Sequence, residues 1–153
     1  MKKGLLLMSV ALLLTGCGGK ELTKDKDIIK KDYTNKFECT RTEKMYNGNG
    51  EVTITKIYDF NKKGDKLLGY YEIATYTYTK DVDMNEEKSK YLEGCESGKE
   101  YGYINCKASV KDNVLTVSKE ADLNHENNKE EASKMTKESI TKDYEGGETY
   151  TCK

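Results

Sequence analysis

The feature that most constrains the fold is a series of extended segments separated by short turn sequences. Residues 37–46, 51–60 and 66–79 together are rich in Tyr, Thr, Ile and Val, which favour strands. Asn47-Gly48-Asn49-Gly50 separates the first two segments, and these residue types tolerate the positive φ of a tight hairpin. Residues 61–65 form the second turn. Three strands joined by short turns predict an antiparallel meander.

The second strand also predicts a buried face. Val52, Ile54, Tyr58 and Phe60 recur with a period of two, so they share one side of the strand. Lys56 occupies the same phase and is the exception in this pattern. We therefore expect the sheet to be covered on one face.

The pattern changes after the meander. Residues 81–93 are charged and predict either a helix with a narrow apolar stripe or a loop. Residues 101–110 and 114–123 predict two further strands with alternating apolar residues. Residues 124–133 are polar and predict a loop or a frayed helix.

The C-terminal part predicts one more helix. Thr136 is a suitable N-cap for a helix over residues 137–145, and Gly146-Gly147 would end that helix. Residues 148–153 are expected to add a short final strand. The resulting order is β-β-β-α-β-β-α, which predicts an α+β fold: an antiparallel sheet with one or two helices packed on one face.

The N-terminus carries the sequence pattern of an export signal. Two lysines precede an apolar run over residues 4–14, and these 11 residues are too few for a membrane-spanning helix, which needs about 20. Leu14-Thr15-Gly16-Cys17 resembles the lipobox of bacterial lipoproteins, with cleavage between Gly16 and Cys17 and a diacylglyceryl group on the Cys17 thiol. The alternative is an ordinary secretory signal followed by a chance cysteine.

The lipobox divides the chain into three parts. Residues 1–16 are the predicted signal peptide, residues 17–36 a lipidated N-terminus and flexible tether, and residues 37–153 a single domain. The tether would reach about 24 Å as a coil and is either a solvated spacer or a segment resting on anionic lipid. We therefore expect a cell-membrane protein anchored through Cys17 on the extracytoplasmic side.

Four cysteines follow Cys17, and an even number in an exported chain predicts two disulfides. We favour Cys95 with Cys106, which would close a short loop at a Gly-rich turn, and Cys39 with Cys152, which would join the two ends of the domain. Free thiols are the alternative. A metal site is not predicted, because no two of these cysteines have the close spacing of zinc ligands, and no Cys-x-x-Cys redox pair occurs.

The sequence predicts no catalytic residue and no cofactor. The one histidine, His125, lies in a polar segment typical of a solvated surface. The acidic residues near position 83 begin like a calcium loop but lack the required Gly and Glu, so a solvated helix N-terminus is the preferred interpretation. That cluster consists of Asp81, Asp83, Glu86 and Glu87. The net charge of −1 argues against nucleic acid as a partner.

Tyrosines are the most suggestive candidates for ligand binding. The chain has 12 of them and no tryptophan. Six could line an open face of the sheet and form a platform for a glycan or peptide, because tyrosine is amphipathic and loses little entropy on binding. The alternative is that they only stabilise cross-strand pairs. These six are Tyr70, Tyr71, Tyr76, Tyr78, Tyr101 and Tyr103.

Short motifs in the domain also resemble the YehR-like lipoproteins, a family of small, lipid-anchored α+β proteins without an assigned activity. The four cysteines after Cys17 depart from the usual pattern of that family. The resemblance implies no catalytic residues. It rests on Ile57-Tyr58-Asp59-Phe60 with Gly64-Asp65-Lys66-Leu67, on Val110-Lys111-Asp112-Asn113 with Ala121-Asp122-Leu123, and on Met135-Thr136-Lys137-Glu138.

Three functions fit these observations. The first is a non-enzymatic binding or interaction module of the cell envelope, with a glycan, peptide or protein as ligand. The second is an envelope hydrolase acting on peptidoglycan or peptide through paired carboxylates. The third is an inhibitor or immunity-type protein that would bind its partner through an exposed apolar patch.

Overall fold

A computed structural model of the chain describes residues 28–145 and 150–153. The predicted signal peptide, its cleavage site between Gly16 and Cys17, and the lipidation site lie outside the described residues. So does the predicted helix stop at Gly146-Gly147.

The described residues form a six-stranded antiparallel sheet with three helices. The sheet order is β4-β5-β3-β2-β1-β6. The predicted α+β fold with its β-β-β-α-β-β-α order is confirmed, and an additional helix occupies the segment predicted as a loop or frayed helix. The strands are β1 (Lys36–Lys44), β2 (Gly50–Phe60), β3 (Leu67–Tyr78), β4 (Tyr103–Lys111), β5 (Val114–Ala121) and β6 (Thr151–Cys152). The helices are α1 (Met84–Ser97), α2 (Glu126–Lys134) and α3 (Lys137–Glu145), and a 3-10 turn spans Gly98–Tyr101.

Helices cover one side of the sheet, which we call the helix face. At one end, α1 packs over β4 and β5, where apolar residues such as Leu115 and Val117 are buried. At the other end, Ile140 of α3 lies in a cluster with Phe37 and Phe60. The helix face therefore carries two apolar clusters, one beneath each helical end.

The opposite side of the sheet, the strap face, is crossed by residues 28–35, which we call the strap. Ile29 is buried against Ile57 and Tyr71, and its backbone N–H donates to Ser118 Oγ at 2.9 Å. The Tyr33 ring meets the Tyr71 ring edge-on, with centroids 5.4 Å apart.

This arrangement differs from the flexible tether that the sequence predicts over residues 17–36. The described end of that segment is part of the folded domain, because Ile29 and Tyr33 pack on apolar residues of the sheet and Ile28 is also buried. An ion pair between Lys31 and Glu120 adds to the attachment. The remainder of the predicted tether, residues 17–27, lies outside the described residues.

Two disulfides join the pairs predicted from the sequence. Cys39 of β1 is bonded to Cys152 of β6, and Cys95 of α1 is bonded to Cys106 of β4. Disulfides are typical of domains that fold in an oxidising compartment, which indicates an extracytoplasmic domain. None of the helices within the described ranges is long and apolar enough to cross a membrane.

Candidate functional site

Three charged residues lie side by side on the helix face, between the two apolar clusters. Lys56 of β2 is the cross-strand partner of Glu72 of β3, and Glu72 is the partner of Lys119 of β5. We call these three residues the charged row. Directly opposite neighbours in a sheet have their Cβ atoms about 5 Å apart, so the three side chains are close enough to interact.

Glu72 is the centre of the row. Its Oε1 lies 3.6 Å from Lys119 Nζ, and the Tyr70 hydroxyl donates to its Oε2 at 3.2 Å. The side chain of Glu72 keeps 18% of its accessible surface. Burial raises the pKa of the Tyr70 hydroxyl well above its usual range, and the Glu72 carboxylate adds to this effect. Tyr70 is therefore a neutral donor to Glu72 at neutral pH.

Lys56 lies beside two phenol rings. Its Nζ donates to the Tyr144 hydroxyl at 3.0 Å and lies 5.2 Å and 5.0 Å from the ring centroids of Tyr144 and Tyr150. Burial disfavours the charged form of Lys56. The hydrogen bond to Tyr144 and the neighbouring Tyr150 and Glu72 outweigh that effect, so the pKa of Lys56 is raised and the ammonium group stays charged.

The remaining cations of this region also contact tyrosine rings. Lys119 Nζ lies 4.4 Å from the centroid of Tyr103, and the Arg41 guanidinium lies 5.0 Å from that of Tyr150. Arg41 forms an ion pair with Glu43 at 3.3 Å. The Arg41 and Lys119 side chains keep 23% and 26% of their accessible surface, so solvent reaches both. We call Tyr103, Tyr144 and Tyr150 the tyrosine rim.

Several elements place the rim around the row. Tyr103 begins β4, Tyr144 projects from the last turn of α3, and Tyr150 immediately precedes β6. The rings of Tyr144 and Tyr150 lie with their centroids 4.3 Å apart, and the Tyr58 hydroxyl is 3.0 Å from that of Tyr144. The rim therefore depends on β4, on α3 and on the C-terminal strand together.

The two disulfides flank the charged row. Cys39 is the cross-strand partner of Lys56. At the other end, the pairing of β4 and β5 shifts between Ile104 and Lys107, and this bulge places Cys106 beside Lys119. Cys39 is bonded to β6 and Cys106 to α1, so the strand next to each end of the row is covalently cross-linked.

The side chains of the site offer a ligand charge, hydroxyl groups and ring surface. Two ammonium groups and one carboxylate give the row a net charge of +1, and Arg41 adds a nearby cation. Phenol rings offer flat apolar surface and hydroxyl groups at the same place. Such a set of groups is suited to an anionic or polar ligand that also has an apolar face.

The six tyrosines of the predicted platform do not share one surface. Tyr70 supports Glu72 from the helix face, whereas Tyr71 lies on the strap face against Tyr33. Tyr103 alone of the six belongs to the rim. Of the others, Tyr76 and Tyr78 pack in the apolar cluster beneath α1, and Tyr101 is exposed in the 3-10 turn.

The acidic cluster and His125 have local structural contacts. Asp83 is the N-cap of α1 and accepts from the backbone N–H groups of Asn85 and Glu86, which agrees with the predicted helix N-terminus. His125 is the N-cap of α2, where its Nδ1 accepts from the backbone N–H of Asn127 at 3.3 Å. Within the described ranges, no group of three or more His, Cys, Asp or Glu side chains could hold a metal ion.

Sequence reasoning did not identify most of this site. The sequence does carry one indication of the site: in each of three strands, a charged residue stands among apolar residues of the same face. These residues are Lys56 in β2, Glu72 in β3 and Lys119 in β5. No periodicity indicates Tyr144 and Tyr150 as partners of Lys56, because they reach it from distant parts of the chain.

The chain was compared with known protein families, curated proteins and solved structures. Neither a protein-family model, nor a curated protein, nor a solved structure matches the chain.

Proposed function

We propose that this protein is a membrane-anchored extracytoplasmic lipoprotein whose domain is a non-enzymatic binding module of the cell envelope. The charged row and the tyrosine rim are its binding site. The observation that carries this proposal is the position of Lys56, Glu72 and Lys119 on interior strands, between two apolar clusters of the helix face.

Charges at such positions weaken a fold rather than strengthen it. Removing charged groups from water costs free energy, and their mutual attraction only partly offsets that cost. Apolar residues at the same three positions would join the two clusters into one core. A row of charges that remains partly exposed is instead what recognition of a polar ligand requires.

The proposed location rests on independent features. The N-terminal sequence has the three parts of a lipoprotein signal in order, ending at Cys17. The two disulfides fit an oxidising compartment. Two acyl chains on Cys17 would give stable anchoring, since each buried methylene contributes about 0.8 kcal/mol.

The anchor is tested by cell fractionation and mass spectrometry. We expect the mature protein to remain with membranes and to begin at Cys17 with a diacylglyceryl modification. The Cys17→Ala variant should lose this modification and the cleavage at Gly16. Recovery of the unmodified wild-type protein in the soluble fraction would contradict the proposed anchor.

The binding function is tested by a thermal-shift screen of the chain from residue 18, which retains every described residue. The panel contains muropeptides, neutral and acidic oligosaccharides, short peptides and divalent metals. A ligand at a hundred times its dissociation constant stabilises the folded state by about 2.7 kcal/mol, which raises the melting temperature measurably.

Substitutions in the charged row test whether a thermal shift arises from binding at this site. The double variant Lys56→Met and Lys119→Met should lose the shift. Lys142→Met is the matched control, because Lys142 is an exposed lysine of α3 whose partner is Glu138. A shift that survives the double variant would place binding elsewhere, and a flat panel would count against a small-ligand module.

A further inference from the structure

We infer that the ligand of this site is an acidic saccharide, a pyranose ring that carries a carboxylate or a phosphate. The inference rests on the proposed function and specifies its ligand class. It follows from the charges of the row, from the rings around it, and from its position on the interior strands.

The charges favour an anion. Lys56, Lys119 and Arg41 converge on this part of the helix face, whereas Glu72 is the single carboxylate of the row. Arg41 is partly neutralised by the more exposed Glu43, and Glu72 is the carboxylate that lies between the two lysines. An incoming anionic group would therefore replace water around an excess of positive charge that is screened less than at an open surface.

The rings favour a ligand with a flat apolar face. Tyr103, Tyr144 and Tyr150 are each partly accessible. Each lies against one of the cations, so ring and charge are presented together. A saccharide ring offers C–H groups to a phenol ring and hydroxyl groups to its oxygen. A simple inorganic anion would use the cations but not the rim.

The position of the row argues against an extended peptide. Peptides often bind by adding a strand to a free sheet edge, through backbone hydrogen bonds. The row belongs to β2, β3 and β5, and each of these strands is paired on both sides. Recognition here must use side chains, which suits a compact ring with a charged substituent.

The width of the row limits the size of the ligand. Lys56 and Lys119 are separated by two strand spacings, about 10 Å between their backbones. One or two sugar rings can span this width with an acidic group at either lysine.

The test compares acidic and neutral saccharides that are otherwise closely similar. N-acetylmuramic acid is compared with N-acetylglucosamine, and glucose 6-phosphate with glucose, by NMR titration of the ¹⁵N-labelled chain from residue 18. Lactate and inorganic phosphate serve as anions without a ring. We expect an acidic sugar to bind at least tenfold more tightly than its neutral counterpart and than the free anion, with perturbed signals at the row and rim. The affinity should fall as the salt concentration rises.

Three variants separate the contributions. Lys119→Met should weaken the acidic sugar about tenfold and leave the neutral sugar unchanged, whereas Tyr103→Leu should weaken both. Glu72→Gln should strengthen the acidic sugar several-fold, because it removes the negative charge of the row while preserving shape. Lys142→Met should change neither affinity.

The outcomes distinguish this inference from the proposed function. Equal binding of acidic and neutral sugars, or equal binding of the free anion, would overturn the inference and leave a binding module in place. If no saccharide binds but a peptide or metal raises the melting temperature, the inference is likewise overturned and the binding module remains. Failure of the saccharides and of the whole thermal-shift panel would overturn both.

Discussion

The two faces of the sheet accommodate polar side chains in different ways. The helix face places charged residues between apolar clusters and is closed by a disulfide at each end. The strap face carries one buried carboxylate, Glu120, which is ion-paired with Lys31 of the strap, and beside it rows of uncharged hydroxyl residues. One row of cross-strand partners on this face consists of Thr42, Thr53, Thr75, Thr116 and Ser109.

Two pairs of hydroxyl groups on the strap face bond to each other within the sheet. Thr42 Oγ1 and Thr53 Oγ1 are 2.8 Å apart, and Thr40 donates to Thr55 at 3.1 Å. Such pairs need no third element and leave no charge to compensate. On the helix face the charges of the row instead require hydroxyls and rings from α3, β4 and the C-terminal strand. This contrast is a reason to look for the proposed ligand site on the helix face.

Removal of the disulfides, which both belong to the helix face, should lower the free energy of unfolding the most. Cys39 and Cys152 are 113 residues apart, so replacing both with alanine should lower the free energy of unfolding by about 4–5 kcal/mol. The 11-residue separation of Cys95 and Cys106 predicts a smaller loss, about 3 kcal/mol. Urea denaturation of the two double variants measures both values. Equal losses would show that the length of the closed loop does not determine how much each disulfide stabilises the fold.

One substitution on each face should have a smaller effect than loss of the Cys39–Cys152 bond. Phe60 is 1% exposed in the cluster beneath α3, so Phe60→Ala should cost about 3–5 kcal/mol. Thr75→Ala, in the hydroxyl row, should cost less than about 1 kcal/mol. The same denaturation experiment gives both values. A comparable cost at Thr75 would mean that the hydroxyl rows contribute to stability as a connected network.

The charged row itself should contribute little to stability. A triple variant with Lys56, Glu72 and Lys119 replaced by methionine should be within about 1 kcal/mol of the wild type or more stable, since buried ion pairs are often replaced by apolar residues at no cost. Ligand binding should be lost in the same variant. A much less stable triple variant would show that the row is a structural element, contrary to the proposed function.

The last comparison concerns alkaline pH, at the α1 end of the helix face. Burial raises the pKa of Tyr78 to about 12, and its hydrogen bond to Glu87 and that carboxylate's charge act in the same direction. A tyrosine in the unfolded chain titrates near about 10. Between these values the unfolded chain releases a proton that the folded protein retains, so stability decreases as the pH rises.

The contribution of Tyr78 is measured by comparing urea midpoints of the wild type and Tyr78→Phe from pH 9 to pH 12. The wild type should lose stability more steeply than the variant over this range. Tyr46→Phe, at a fully exposed tyrosine, is the control and should follow the wild type. Parallel profiles for the wild type and Tyr78→Phe would contradict this attribution.

Local sequence patterns were sufficient to predict most of the fold. Alternation and turn residues identify the five long strands. The even number of cysteines predicts two disulfides, and the short Cys95–Cys106 loop and the terminal positions of Cys39 and Cys152 favour the observed pairing. The strap was not predicted, because Ile28 and Ile29 stand among charged residues, and only the sheet opposite them makes their burial favourable. The site was largely missed for a related reason. Lys56 is an exception to the apolar pattern of β2, but its role depends on residues that only the folded chain brings together. These are Glu72, Lys119, Tyr144 and Tyr150.

The bond between Cys39 and Cys152 has a consequence for the order of folding. A chain is synthesised from its N-terminus, and Cys95–Cys106 can close as soon as β4 has emerged, because its two residues are close in sequence. The edge of β1 cannot be completed until 113 further residues have followed Cys39. Cys39 therefore has no native partner while both cysteines of the other pair emerge, and any bond it forms with them must rearrange later. Early closure of the local disulfide removes those two competitors and leaves Cys39 and Cys152 to pair with each other.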